Sequence, residues 1–228
     1  MSRPIPGPHK LSPEILVRAY AAGVFPMSES RDDPTIFWVD PRLRGIIPLD
    51  NLHVSKSLKK TIRKNKFEIK CDTAFDRVIE GCALPRADHD GSMSETWIND
   101  EIIRAYNEMH KMGLAHSVEC WRGERLVGGL YGVSLRGAFC GESMFSLETD
   151  ASKVALVYLV AHLKLGGYAL LDTQFLTDHL KTMGAVEISN REYLERLERA
   201  LGVDAKFPLN PNADELEKSL NAVLENSK

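Results

Sequence analysis

Three apolar runs, residues 117–121, 126–135 and 138–145, follow one another with Arg122-Gly123-Glu124 and Arg136-Gly137 at the joins. This feature constrains the fold most. A parallel crossover needs about a dozen residues or more, so joins this short force an antiparallel meander. A helix opening at Asn99 precedes the meander, and a nearly all-round apolar helix over 151–165 follows it. Apolarity on every face predicts that the second helix is buried. A strand over 168–172, a helix over 177–183, a strand over 185–188 and a last helix to Leu201 complete the order. That order predicts an α+β domain with a mixed sheet flanked by helices.

Local signals fix the helix ends. Asn99 stands before Asp100 and Glu101, whose charges suit a helix N-terminus, and Ile98 and Ile103 are spaced as a hydrophobic staple. Ser189-Asn190-Arg191-Glu192 reads as a capping box. Near the start, Ser12 caps a short helix with Pro13 in its first position, and Gly23 ends it. Residues 36–39 and 44–49 read as strands. We therefore expect a small N-terminal domain over 1–51, whose first ten residues form an arm, and a catalytic domain over 52–228. A helix over 74–82 is expected to be capped by Asp72 or Thr73. Residues 85–96 read as a mobile polar loop around Gly91, and the tail beyond Lys206 as polar and peripheral.

Composition excludes little but useful ground. Cys71, Cys82, Cys120 and Cys140 match neither a metal knuckle nor a redox pair, so no metal is expected. The chain start lacks a signal peptide's apolar core, and the longest apolar run is too short to span a bilayer, so we expect a soluble cytoplasmic protein with no membrane partner. The net charge of −3 does not advertise nucleic-acid binding, yet it hides a local cluster. Lys56, Lys59, Lys60, Arg63, Lys64 and Lys66 fall within eleven residues that contain no acid. Leu58 and Ile62 lie four apart, which makes this an amphipathic helix with a basic face suited to phosphates.

Two acids stand out. Glu142 lies inside the apolar run Phe139-Cys140-Gly141-Glu142-Ser143-Met144-Phe145, and Asp172 ends the run Tyr168-Ala169-Leu170-Leu171. A buried carboxylate is costly unless it meets a cation or donors, so the pair is expected to serve either a salt bridge or a cationic ligand. Gln174 follows Asp172 by two, which puts both side chains on one face if the strand continues. Its neutral amide can orient an amine or stabilise an oxyanion but is no strong base. Gly128, Gly129, Gly132 and Gly141 in the central strands suit close ligand approach or tight packing. Phe139, Met144 and Phe145 are candidates for an apolar side-chain pocket, with Gly141 and Ser143 beside them, and Trp38 and Trp97 for stacking on a nucleobase. Cys140 reads as core, since nothing brings His116, His162 or His179 to it. No Arg/Gln-x-x-Gly-x-Gly/Ala segment follows a strand, which speaks against coenzyme A.

The chain resembles the leucyl/phenylalanyl-tRNA–protein transferase family. The matching segments are Tyr20-Ala21-Ala22-Gly23-Val24-Phe25-Pro26-Met27, Asp40-Pro41-Arg42, Val78-Ile79-Glu80-Gly81-Cys82-Ala83, Thr96-Trp97-Ile98, His116-Ser117-Val118-Glu119, Leu126 to Val133, Phe139 to Ser146, and Leu171-Asp172-Thr173-Gln174. The resemblance implies a small N-terminal domain and an N-acetyltransferase-like C-terminal domain. It implies transfer of Leu, Phe or Met from aminoacyl-tRNA to proteins with N-terminal Arg or Lys, marking them for degradation through the N-degron route; such an ester is already activated, so no cofactor is expected, and nothing in the sequence demands more than a monomer. By the same resemblance, Asp172 and Gln174 activate the attacking amine and Glu142 binds substrate. Trp38 and Trp97 meet the terminal adenosine, and Lys56, Lys59, Lys60, Arg63 and Lys64 meet the acceptor stem. Around Trp38 the chain departs from Trp-Trp-Ser-Pro-Asp-Pro-Arg: it reads Phe37-Trp38-Val39-Asp40-Pro41-Arg42, one residue shorter and with one tryptophan fewer.

Overall fold

A computed structural model describes residues 5–6, 10–87 and 93–226. In chain order the elements are β1 (Ile5–Pro6), α1 (Pro13–Ala21), β2 (Phe25–Met27), β3 (Phe37–Val39), β4 (Leu43–Ile46), α2 (Lys56–Arg63), β5 (Glu68–Cys71) and α3 (Phe75–Cys82). There follow β6 (Arg86–Ala87), β7 (Met93–Ser94), α4 (Asp100–Lys111), β8 (Ala115–Arg122), β9 (Arg125–Leu135) and β10 (Ala138–Ser146). The chain ends with α5 (Ala151–Leu165), β11 (Leu170–Gln174), α6 (Asp178–Thr182), β12 (Val186–Ser189), α7 (Asn190–Leu201) and α8 (Ala213–Asn226).

The meander forms as its short joins require: β8, β9 and β10 are antiparallel neighbours at the centre of a seven-stranded sheet ordered β12-β4-β11-β10-β9-β8-β5. β10 and β11 make its one parallel pair among the described residues, joined through α5. The fold is therefore α+β with a mixed sheet, as expected. Alternate side chains along β8 to β10 enter two cores. On one face Val118, Leu130 and Phe139 pack with α2, α5 and α8. On the other, Tyr131, Cys140 and Phe145 pack with α1, α3 and α4. Each large face removes its apolar surface from water, which is the main stabilising term.

Caps follow the sequence signals at three helices, where Ser12, Asn99 and Ser189 accept from Ile15, Ile102 and Glu192 N, and Ser55 caps α2 in the same way by accepting from Leu58 N. At α3 the expected local cap is replaced. Glu119 Oε1, from β8, accepts from Thr73 N and Ala74 N, while Asp72 accepts from His116 Nδ1 and Ser117 N. A distant carboxylate thus holds the two residues that lead into α3, in place of a local side-chain cap.

Near the N-terminus β1, β3 and β2 form a separate three-stranded sheet. β4 lies within residues 1–51 yet pairs between β12 and β11 of the large sheet. β6 and β7 pair with each other at the base of the expected polar loop, and the loop's centre, 88–92, lies outside the described residues, as does most of the N-terminal arm. The tail is not peripheral. Leu216, Leu220, Val223 and Leu224 make an apolar stripe on α8, which lies against α5 with Val223 and Leu224 buried. Phe207 stacks on His116 and on His162 at centroid distances of 4.4 and 5.5 Å. The helical spacing of that stripe wins over the polar residues between.

Candidate active site

β10 and β11 run together only from Ala138 to Cys140, opposite Leu170 to Asp172. Beyond that point β10 stays with β9 and β11 stays with β4. The strands part at their C-terminal ends, and a cavity of about 610 Å³ opens between them. Open sheets offer ligand sites at such points. The register slips in both strands at the fork, between Gly141 and Ser143 in β10 and between Asp172 and Gln174 in β11. Bulges of this kind re-aim side chains.

Glu142, at the first slip, turns its carboxyl into the cleft. Gln174 Nε2 donates to its Oε1 at 3.3 Å and Tyr106 OH to its Oε2 at 3.2 Å. Tyr20 OH in turn is hydrogen-bonded to Tyr106 OH. Burial pushes the Glu142 carboxyl up to about 8; the Tyr20 hydroxyl opposes this, and the charge of Asp172 adds to it. Burial thus favours the protonated carboxyl, and a cation placed beside it favours the ionised form. The other titratable groups among the described lining residues are His179 and the phenol of Tyr131, which burial pushes up. The remaining wall is largely apolar, with Phe25, Met144, Phe145, Leu156, Leu159 and Leu171 prominent. Thr173 Oγ1 and Tyr131 OH also face this region, buried and without a hydrogen-bond partner among the described residues.

Asp172 does not line the cavity. It is fully buried, and both of its oxygens are engaged. Arg44 Nε donates to Oδ1 at 2.8 Å and Arg44 Nη2 to Oδ2 at 2.6 Å. Tyr193 OH donates to Oδ2 at 3.0 Å, and Gln174 N to Oδ1 at 2.9 Å. The slip between Asp172 and Gln174 breaks the strand alternation, so the two side chains do not share a face. Gln174 sits at φ +56°, with Phe175 N bonded to Thr173 O at 2.6 Å across it. This is a γ-turn of the positive-φ kind, rare and strained.

The family model for leucyl/phenylalanyl-tRNA protein transferase matches residues 46–198, and the model for that family's N-terminal domain matches residues 9–42. The leucyl/phenylalanyl-tRNA–protein transferase of Paramagnetospirillum magneticum is 56% identical over 88% of this chain and 94% of its own. That of Maricaulis maris is 52% identical over 94% of this chain and 97% of its own. The Rhodospirillum rubrum protein of the same name is 55% identical over 86% and 91%. The chain belongs to the leucyl/phenylalanyl-tRNA–protein transferase family. It is thus an aminoacyltransferase.

Of the residues expected to touch the transferase's substrates, Trp97, Gly141, Glu142, Ser143, Met144, Phe145 and Gln174 line the cavity. Phe139 does not. Its ring is completely buried on the α5 side, against Tyr168 and Phe207, because it precedes the bulge and keeps the strand's alternation. Trp38 lies in β3 and packs half-buried against the α1, α3 and α4 core, away from the lining. Cys140 is buried with its thiol pushed up by desolvation, as suits a core residue. Gly81 gives the Phe145 ring its place: a Cβ there would stand 2.9 Å from that ring. On α2, Lys56, Lys60, Arg63 and Lys64 are exposed and Lys59 is half-buried. The helix adjoins the loop that leaves β10: Thr61 Oγ1 meets Asp150 Oδ2 at 3.3 Å, and Lys66 Nζ meets Thr149 O at 3.2 Å. Among the described residues no helix is long and apolar enough to cross a membrane, and no group of three metal-ligating side chains gathers.

Sequence reasoning missed Arg44, Tyr20 and Tyr106. Nothing next to any of the three in the chain marks it out, and only the partners brought by the fold show its polar role. Arg44 carried one signal: an arginine inside a strand must find an acid.

Proposed function

We propose that this cleft brings the aminoacyl ester of a charged tRNA to the amino group of an acceptor protein. The observation that carries the reading is one carboxyl, Glu142, on the floor of an otherwise largely apolar cleft, bridged to Gln174. An apolar wall suits a Leu, Phe or Met side chain, and a lone acid suits the ammonium of an acceptor beginning with Arg or Lys. The ester is already activated, so positioning and deprotonating the amine suffice, and no metal or organic cofactor is required. In our reading the ionised Glu142 takes the ammonium proton. The amine nitrogen then bonds to the ester carbon, the carbon–oxygen bond to the ribose breaks, and the released oxygen takes the second proton that the nitrogen gives up on becoming an amide. Gln174 and Tyr106 orient the carboxylate, and Asp172 acts through Gln174 without touching substrate. Trp97 at the lining supports stacking on the terminal adenosine. The exposed basic face of α2, beside the loop that leaves β10, supports contact with the acceptor stem. The protein works as a cytoplasmic monomer and commits its products to the N-degron route.

The test is direct. The protein is incubated with Leu-, Phe- or Met-tRNA and a peptide beginning with Arg or Lys, and the peptide is weighed by mass spectrometry. A gain of one donor residue at the N-terminus is expected. No gain with any donor on either acceptor would overturn the reading.

A further inference from the structure

We propose that Arg44 is a positioning residue for the transfer reaction, which holds Gln174 in reach of the cleft by clamping Asp172. The proposal rests on the reading that Gln174 meets the reacting groups. Arg44 is fully buried, 128 residues from Asp172 in sequence, and grips both of its oxygens. A planar guanidinium matches a carboxylate in this two-point way, and a lysine does not. Its remaining contacts tie in two other elements, β2 with the turn before it and α7. Nη1 donates to Gly23 O at 2.8 Å, at the turn into β2, and Nη2 to Tyr193 OH of α7 at 3.2 Å. The guanidinium carbon lies 4.7 Å from the centroid of Phe25, which lines the cleft, and 4.3 Å from that of Tyr193.

A buried ion pair is costly to desolvate and is weak evidence for stability in itself. Here its geometry shows what it holds. Asp172 Oδ1 accepts from Gln174 N and so fixes the strained turn that swings the Gln174 amide to Glu142. With a looser partner Asp172 shifts, the turn relaxes toward an ordinary φ, and the amide leaves the cleft. Arg44 also sets where Phe25 stands, so one side chain couples the floor of the cleft to a wall from the N-terminal segment.

Steady-state transfer from Leu-tRNA to an Arg-peptide tests this on the full chain, with Arg44→Lys, Tyr193→Phe, Gln174→Ala and Arg44→Lys/Gln174→Ala, each followed by thermal melting. Arg44→Lys should lower kcat by about tenfold or more while KM for both substrates stays within about threefold. The double variant should be no slower than Gln174→Ala alone, because both act on one group. Tyr193→Phe, which removes one bond to Asp172 but no charge, should lower kcat by a few fold. If Arg44→Lys is unfolded at the assay temperature, Tyr193→Phe decides: an unchanged kcat overturns the proposal. It is also overturned if folded Arg44→Lys keeps the wild-type kcat, or if its loss multiplies with that of Gln174→Ala. Gln174→Ala at the wild-type rate would overturn the parent reading and the clamp with it, whereas an inactive Gln174→Ala beside a fully active Arg44→Lys would overturn the clamp alone.

Discussion

Gln174 Nε2 donates to Glu142 Oε1 at 3.3 Å, bridging β10 and β11 beyond the point where their backbone pairing stops at Cys140 and Asp172. The bridge spans the mouth of the fork. Asparagine tolerates the positive φ of this position but is one methylene shorter. Gln174→Asn should therefore fold with a melting temperature near wild type and lose about tenfold or more in single-turnover transfer. A wild-type rate would mean that the amide's reach is idle.

The Glu142 carboxyl stands at about 8 in the folded chain against an ordinary 4.5. The folded state therefore holds a proton that the unfolded state has released across that window. Its contribution is present in full below the unfolded value and is lost as pH rises through the folded one. Glu142→Gln mimics the protonated form and escapes this loss. Its melting temperature should match wild type near pH 4.5, exceed it increasingly up to about 8, and keep a constant lead above. Transfer should fall by about a hundredfold, a typical contribution of a general base. A pH-independent difference in melting temperature would contradict the raised carboxyl.

Lys56, Lys60 and Arg63 are exposed, so reversing all three to Glu should leave the melting temperature within a few degrees of wild type. With intact tRNA, kcat/KM should fall by about a hundredfold, and its salt dependence should flatten by roughly one log unit per lost phosphate contact. A minimal aminoacyl ester lacking the tRNA body should react as with wild type. Equal loss on both substrates would place the damage in the cleft and not on α2.

Phe207 stacks on His116 and His162 and also meets Phe139, which ties the tail to the central sheet. Phe207→Ala should cost about 3 kcal/mol, which for a chain of this size lowers the melting temperature by about 6–12 °C. Equilibrium urea unfolding gives the check. A cost below about 0.5 kcal/mol would show that the tail contributes little.

Much of the fold was legible. The joins at Arg122-Gly123 and Arg136-Gly137 dictated the meander, and Ser12, Asn99 and Ser189 announced their helices, because hairpin and cap chemistry is local. The Glu142 carboxyl and the Gln174 amide were legible as chemistry for the same reason: polar groups in apolar runs need partners. The register slip at Glu142 was not, since a bulge is decided by how β9 and β10 meet. α8 was hidden by its many charges until α5 supplied the surface for its Leu216, Leu220, Val223 and Leu224 stripe.

The sequence by itself determined most of the elements up to Leu201, the central antiparallel pairing, and that Glu142 and Asp172 had to find cations or donors. Local propensity and the cost of burying charge act whatever the rest of the chain does. Only the tertiary structure decided how the two acids divide. Arg44, 128 residues away in sequence, reaches Asp172 and seals it. The parting of β10 from β11 leaves Glu142 facing the cleft. That division depends on contacts between residues far apart in the chain, and such contacts are set by packing rather than by any local pattern.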